Sequence, residues 1–484
     1  MKNSSLLSLV LAMATSGCAV GPNYQHPAVN VPAAWSTTLA GGETNVANEP
    51  AAWWENFHDA ELDSLIGRAV QSNLGVQVAQ ARVREARAQY GIAAANFLPT
   101  IDGDSSYARA ETSHHQPVLG SLPIPAGVPF ENDVYQVGFD ASWELDVFGG
   151  TRRATEAARA GVAAAEFGRR DTLVTLLGEV ARNYVEVRGD QRQIAIANEN
   201  VDAQTKVLAI TQDRFAKGLT GDLDVQQASA LLATTKAEIP TLQTSLEAAI
   251  HRLGVLLGQQ PGALQAELSR VAAIPAALPE VPVGLPADLM LRRPDVQRAE
   301  RQLAAATANI GVAKADLFPK FFLTGVAGME SVSTSDWFTS GSSFWSVGPT
   351  MQWRIFDARR IRANIRVQSA RQEQALAGYE ETVLTAFEEV ENGLVAYANE
   401  QIRRRSLAEA VTASEKSLDL ANRLYANGLT DFVNVLDAER SLFEAQDALV
   451  RSDRNVSVDL VALYKSLGGG WENAGHNPVA LAQK

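Results

Sequence analysis

The chain has 484 residues, of which 46% are hydrophobic and 20% charged, a balance that is typical of folded proteins and argues against wholesale disorder. Its formal net charge of -13 argues against a dedicated nucleic-acid binder, which would carry a basic patch or stripe. The single cysteine and the scattered histidines lack zinc-site spacing, and there is no GxSxG, Walker or HExxH motif, so we expect neither an enzyme nor a metal or cofactor site.

The N-terminus has the layout of a secretory signal peptide, because Lys2 precedes an apolar stretch and a short run of small residues. The next residue is Cys18, and the letters TSGC resemble a bacterial lipobox, in which the thiol receives a diacylglycerol before cleavage. We therefore predict a signal peptide at 1–17, lipidation at Cys18 and an acylated, extended segment at 18–59. Ala19 resembles the corresponding residue of lipoproteins sorted to the outer membrane. An ordinary signal peptide with an incidental cysteine is the alternative.

Two long stretches, 150–217 and 358–427, predict helices. They are rich in Ala, Gln, Glu, Arg and Leu and contain no proline, which strongly favours helix. At about 1.5 Å per residue, helices of that length would reach roughly 100 Å. No run of about 20 apolar residues after the signal predicts a membrane-spanning helix. A cytosolic coiled coil or rod-like scaffold is the alternative explanation for these helices alone.

Two other segments predict strands with one apolar face. In 135–147, aromatic and aliphatic residues alternate with polar residues and glycine, and 345–355 repeats the pattern. Strands of about ten residues with one apolar and one polar face are typical of a transmembrane barrel wall. We predict two β-hairpins, at about 99–148 and 319–356. A half-buried soluble sheet is the alternative.

The two halves of the chain repeat the same landmarks in the same order. The matched pairs are GIAAANFLP over GVAKADLFP, Trp143 over Trp353, and KGLTGDLDV over NGLTDFVNV. Internal duplication is the best explanation for three matches in one order. The predicted organisation is a first repeat at 60–258, a connecting equatorial segment at 259–293, a second repeat at 294–468 and a flexible tail at 469–484.

Four strands per chain do not close a barrel, and an open sheet edge is excluded in lipid because its backbone groups would stay unpaired. The chain is therefore expected to oligomerise. Two copies would give eight strands, whose interior is typically filled by side chains. Three copies would give twelve, the smallest of these counts that leaves a lumen.

These features together resemble the TolC-like outer membrane factors, in the lipoprotein (NodT-type) branch that serves resistance-nodulation-cell division efflux systems. The resemblance covers essentially the mature chain and is carried by CAVGPNYQHP, WWENFHDAELDSLI, WELDVFGG, ARNYVEVR, RFAKGLTGDLDV, LRRPDV and YANGLTDFVNVLDAERSLFEAQ. It implies a mixed α and β membrane protein, with a trimeric β-barrel of four strands per chain that is continued by a long antiparallel α-helical barrel.

The resemblance also implies a role and partners. The protein would be a homotrimer, anchored by lipid in the bacterial outer membrane and extending into the periplasm. It would export drugs or other small toxic compounds passively, and a periplasmic membrane-fusion adaptor would join it to an inner-membrane resistance-nodulation-cell division pump. Multidrug resistance is the expected phenotype, and nucleic acid is not an expected partner.

The two GLT turns would form the periplasmic tips that meet the adaptor. Gly218 and Gly428 suit tight helix-to-helix turns because glycine tolerates positive φ. Leu219 and Leu429 follow them and belong to the same predicted contact surface.

The resemblance assigns four further residues to a gate near these turns. Val433 and Asp437 match ring-forming positions of the channel constriction, and Asp224 and Tyr425 match positions that link neighbouring coils in the closed state. Ordinary solvated helix surface is the alternative for all four.

Two other functions remain open from the sequence. A channel for polypeptides in a type I secretion system would keep the fold and change the exported molecule. An acylated periplasmic scaffold without a pore would keep the helices but leave the alternating strands without a membrane to face.

Overall fold

The computed structural model describes residues 19–37, 43–44, 51–111, 113, 131–276, 281–284 and 286–472. The predicted signal peptide, Cys18, most of the loop between the first two strands of the sheet and most of the predicted tail lie outside these residues. Within the described part of the chain, none of the helices is both long and apolar enough to cross a membrane.

In both halves, the described elements include the predicted β-hairpin followed by the predicted long helix. The helices are α1 (Ala60–Ser72), α2 (Leu74–Ala95), α3 (Gly150–Ala216), α4 (Asp222–Leu256), α5 (Gln265–Leu268), α6 (Pro286–Arg292), α7 (Pro294–Ala315), α8 (Arg360–Ala426) and α9 (Phe432–Ser466). The strands are β1 (Glu43–Thr44), β2 (Thr100–Glu111), β3 (Glu131–Leu145), β4 (Val281–Pro282), β5 (Lys320–Ser331) and β6 (Ser343–Gln352). Short 3-10 turns lie at Trp53–Phe57, Pro261–Leu264 and Ser340–Ser342.

The duplication is visible in the helix lengths. The long helices α3 and α8 have 67 residues each, and α4 and α9 have 35 each. Helix α4 continues through Pro240. Two halves with the same succession of lengths confirm the predicted internal repeat.

The described residues separate into two compact units. Of the described residues, the first unit comprises those within 19–27, Arg84–Ala163 and Glu300–Ala377 and contains the large sheet. The second comprises those within Ala28–Val83, Ala164–Ala299 and 378–472 and contains both helix-to-helix turns. Its core is apolar and includes Trp53, which stacks on Tyr464 with ring centroids 5.3 Å apart.

The large sheet is antiparallel, with the strand order β2-β3-β5-β6. Strands β2 and β6 are therefore its edges. Proline at position 349 is tolerated because β6 is an edge strand, where a missing N–H donor does not break an interior ladder. Strands β1 and β4 form a separate, two-residue parallel pair.

One face of this sheet is apolar. Residues directly opposite each other in an antiparallel pair share a face, so Phe139, Ala327 and Trp345 lie together. The same face of β3, β5 and β6 also carries these aromatic and aliphatic side chains: Tyr135, Val137, Trp143, Leu323, Met329, Val347 and Met351. The period-two pattern in the sequence therefore predicted the correct face.

The junctions between sheet and helix are built alike in both repeats. The Trp143 indole Nε1–H donates to the Phe97 carbonyl at 2.9 Å, and the Trp353 indole donates to the Leu317 carbonyl at 3.1 Å. Each acceptor lies two residues before the proline that precedes a strand. The repeated proline signals thus mark equivalent ends of the sheet.

The strands end slightly earlier than the alternating sequence predicts, at Leu145 and Gln352. Two backbone N–H groups at the start of α3 donate to the Asp146 carboxylate at 3.0 and 2.9 Å. At the start of α8, the Asp357 carboxylate accepts two such bonds at 2.9 and 2.7 Å. These aspartates satisfy free donors of the helix ends, so the chain leaves the sheet before them.

Candidate functional site

On β2 and β3, the face of the sheet opposite the apolar one is acidic. Asp102 lies directly opposite Asp140 in the β2–β3 register, and Asp104 follows on the same face of β2. Glu144 lies on this face as well, 3.7 Å from the Lys320 ammonium. Like charges directly opposite each other destabilise a strand pair, so this placement favours a functional role over a purely structural one.

Both predicted tip turns have the same capped geometry. Gly218 and Gly428 adopt φ of 72° and 71°. The N–H of Leu219 donates to the Arg214 carbonyl at 2.9 Å, and that of Leu429 donates to the Leu424 carbonyl at 2.9 Å. With the second bond made by each glycine N–H, these are Schellman caps, which need a left-handed residue at the glycine position.

The leucines of these turns are exposed, with Leu219 at 62% and Leu429 at 73% of full exposure. A Cβ placed on either glycine would meet nothing within 4 Å. The turns therefore present apolar side chains on an open surface.

Among the described residues, no hydrogen bond joins Asp224 and Tyr425 within one chain. The Asp224 carboxylate accepts a hydrogen bond from the Thr220 hydroxyl. Tyr425 is buried against Phe432, and the Arg214 guanidinium lies over its ring, 4.6 Å from the centroid. Its hydroxyl has no hydrogen-bond partner among the described residues, although it is buried.

The two predicted constriction residues lie on the surface of α9. Val433 is 47% exposed. Asp437 is 3.2 Å from the Arg440 guanidinium, and both side chains are well exposed, so solvent screens the pair. Both side chains are therefore accessible to the same residues of neighbouring copies.

Sequence reasoning missed a buried carboxyl on the same helix. Glu439 is only 6% exposed, and burial raises its pKa to about 7. On α3, Gln204 is 3% exposed, and neither polar atom of its amide has a partner among the described residues. Helical spacing from Val435 could have signalled that Glu439 lies on the packed face of α9.

The described residues contain no group of three or more His, Cys, Asp or Glu side chains arranged to hold a metal ion. An amphipathic sheet is continued in sequence by paired long helices with capped, apolar turns.

Comparison with known proteins identifies the family. The model of the outer membrane efflux protein family matches residues 65–259 and 285–469, one match in each half. The chain belongs to the outer membrane efflux protein family. The predicted family and fold class are confirmed, and as an outer membrane efflux protein the chain is an exit channel of a tripartite efflux system.

Relatives of this outer membrane efflux protein match over almost their whole length. The solvent efflux pump outer membrane protein SrpC of Pseudomonas putida is 34% identical over 476 residues, which cover 97% of this chain and 99% of the relative. The cation efflux system protein CusC of Escherichia coli O6:H1 is 31% identical over 480 residues, with 98% and 100% covered.

Solved structures agree with the fold. The outer-membrane channel OprN is 36% identical, with a TM-score of 0.87 over 94% of this chain and all of that one. The open state of the Neisseria gonorrhoeae MtrE outer membrane channel is 28% identical, with a TM-score of 0.79 over 94% of this chain and 99% of that one. These relatives are efflux proteins and channels rather than enzymes.

Proposed function

We propose that three copies of this chain form a lipid-anchored duct that passively exports small toxic compounds across the outer membrane. A periplasmic membrane-fusion adaptor and an inner-membrane resistance-nodulation-cell division pump are its partners in this proposal. The diacylglycerol on Cys18 anchors each copy, and the pump supplies the energy.

The amphipathic four-stranded sheet is the observation that carries the proposal. Its apolar face suits lipid, and its acidic face suits a water-filled lumen. Strands β2 and β6 are edges whose backbone groups need partners inside a membrane. Neighbouring copies supply those partners, and twelve strands leave a lumen.

In this proposal, the gate lies next to the helix-to-helix turns, near the starts of α4 and α9. Three copies of Asp437 near one axis would repel each other and attract cations, while Val433 would form an apolar ring. The unpaired Tyr425 hydroxyl supports a link to Asp224 that forms only in another state or across chains. Such a charge-assisted hydrogen bond contributes about 1.5 to 3 kcal/mol, enough to bias a gate without locking it.

The tips are proposed to meet the adaptor. Leu219 and Leu429 give an apolar contact on turns whose backbone is fixed by Gly218 and Gly428. Exposed apolar side chains on a rigid turn are suited to a protein partner because their burial stabilises the contact.

The class of exported compound is proposed from the relatives, whose names mention solvent, toluene, antibiotic and cation efflux. Survival of a deletion strain and of the complemented strain in toluene, antibiotics and metal cations tests it. Sensitisation to one class assigns the substrate class. Unchanged survival in all of them would reject export of these compounds.

The deciding experiment measures single-channel conductance of the purified, acylated protein in a planar lipid bilayer, together with its native mass in detergent. We expect a trimer with small, cation-selective openings. A monomer or dimer without conductance under any condition would overturn the duct and favour a lipid-anchored scaffold.

Replacing gate residues in the same bilayer tests the constriction. Asp437→Ala and Asp224→Ala are each expected to widen the openings, because they remove an axial charge and a coil link. The matched control is Glu415→Ala on the exposed surface of α8. If both gate variants kept wild-type conductance, the gate assignment would be wrong, but the proposed duct would not be contradicted.

A further inference from the structure

The segment that follows Cys18 is held by hydrogen bonds to the rest of the chain. Arg153 is 4% exposed, and its guanidinium donates to the Val20 carbonyl at 3.2 Å, to the Gly21 carbonyl at 3.4 Å and to Asn23 Oδ1 at 2.7 Å. It also donates to Glu156 at 2.8 Å. Three of the acceptors of this buried cation therefore come from the N-terminal segment.

Two glycines outside this segment allow its backbone to approach closely, because they carry no Cβ. A Cβ on Gly311 of α7 would lie 2.9 Å from the Val20 carbonyl oxygen and 2.7 Å from Arg153 Cγ. A Cβ on Gly149 would lie 2.6 Å from the Ala19 Cα. Such distances are below van der Waals contact, so only glycine permits the observed approach.

The segment itself is shaped to fit. Gly21 has a φ of +99°, and a Cβ on it would lie 2.5 Å from the Gly311 Cα. The Val20 N–H donates to the Phe148 carbonyl at 3.1 Å. The Tyr24 hydroxyl donates to Glu300, and the Arg301 guanidinium lies over the tyrosine ring at 5.5 Å. These contacts explain the sequence AVGPNY at residues 19–24 by packing and hydrogen bonding, independently of any role in export.

The contacts lie where strands and helices join. Gly149 lies in the short connection between β3 and α3, immediately before α3, and Gly311 lies one turn before the end of α7, which leads into β5. Phe148 stacks on Phe318 between these elements, with centroids 4.5 Å apart. Cys18 lies outside the described residues and immediately precedes Ala19 in the sequence.

We propose that Arg153, Gly149 and Gly311 form a cradle that binds residues 19–24 and holds the acylated end of the chain at the end of the sheet where the strands join the helices. The inference rests on the proposed acylation and goes beyond it. The lipid supplies membrane affinity, and the cradle sets where on the protein that affinity acts.

The repeat supplies a matched control for the cradle. Gly91 of α2 is the counterpart of Gly311, and a Cβ on Gly91 would meet nothing within 4 Å. Both glycines lie inside a helix, where alanine is otherwise favoured. Gly311→Ala and Gly91→Ala are therefore the same chemical change, but only Gly311→Ala places a Cβ against residues 19–24.

Hydrogen exchange of the full-length trimer, followed by mass spectrometry on peptides covering 19–27, tests the cradle. We expect Gly311→Ala to accelerate exchange in this segment about tenfold or more, because overpacking opposes docking, and Gly91→Ala to leave it unchanged. Asn23→Ala, which leaves the helices intact, is expected to accelerate exchange by a smaller factor. Equal exchange in Gly311→Ala and Gly91→Ala would overturn the cradle.

The mass of the mature N-terminal peptide separates the cradle from the acylation. We expect a lipid adduct on Cys18 in both glycine variants. An adduct together with equal exchange would reject the cradle alone. If the wild-type peptide carried no lipid, the proposed anchor would fail, and the part of this inference that concerns membrane placement would fail with it.

Discussion

At the level of single residues, the two junction tryptophans are expected to stabilise the fold equally. Trp143→Phe and Trp353→Phe keep an aromatic ring and remove the N–H that donates to the Phe97 and Leu317 carbonyls. We expect each change to lower the free energy of unfolding by about 0.5 to 1.5 kcal/mol. Thermal unfolding of the purified protein in detergent measures this loss. The control is Trp345→Phe, whose side chain is 76% exposed on the apolar face, and an equal loss there would contradict the role of the indole donor.

Glu439 predicts a pH dependence of stability. Burial raises its pKa from 4.5 to about 7, with no charged neighbour contributing. Because the folded state holds the proton more tightly than the unfolded state, the contribution of Glu439 to stability is full below about pH 4.5. It is lost progressively as the pH rises to about 7.

The variant Glu439→Gln tests the predicted loss of stability with rising pH. It is neutral at every pH, so its unfolding temperature should fall less than that of the wild type between pH 5 and pH 8. Glu444→Gln on the same helix is the control, since that side chain is 70% exposed, and it should keep the wild-type dependence. An unchanged dependence in Glu439→Gln would exclude Glu439 as the titrating group.

At the level of elements, the Schellman caps fix how each helix pair turns. Gly428→Ala and Gly218→Ala place a Cβ on residues with φ of 71° and 72°, which costs about 1 to 2 kcal/mol. We expect faster hydrogen exchange at the substituted turn. Gly161→Ala inside α3, where a Cβ meets nothing within 4 Å, should be neutral or stabilising. Slow exchange in both cap variants would mean that the turns do not depend on glycine.

The elements were largely predictable, because their signals are local. Alternation around Phe139 identified a strand and its face, and the glycines of the GLT turns identified helix ends. The exact strand ends were missed, since the carboxylates of Asp146 and Asp357 cap helices at positions where the alternation still continues.

The contacts of the candidate site were less predictable, because they join distant parts of the sequence. Three of the acceptors of Arg153 lie 130 to 133 residues away in the sequence, and no periodic pattern indicates them. Whether Glu439 is buried depends on how α3 and α9 pack. The partner of the Tyr425 hydroxyl is absent from the described residues and depends, in the proposed gate, on another state or chain.

At the level of the whole molecule, the proposed trimer would place the acidic face of every sheet on one lumen. Asp102, Asp104 and Asp140 then recur three times around the duct, separately from the Asp437 ring at the tips. Fixed charges that line a pore raise the local concentration of counter-ions. Two acidic regions in series would make the duct cation-selective even with its gate open.

Reversal potentials across a salt gradient separate the two regions. We expect the double substitution Asp102→Asn and Asp140→Asn to lower the ratio of cation to anion permeability in an open-gate Asp437→Ala background, because the remaining selectivity there comes from the sheet. Asp133→Asn is the matched control, since Asp133 lies opposite Arg109 on the other face of the same strand pair. An unchanged reversal potential in the double variant would mean that the acidic face does not line the conducting path, and the orientation proposed for the sheet would be wrong.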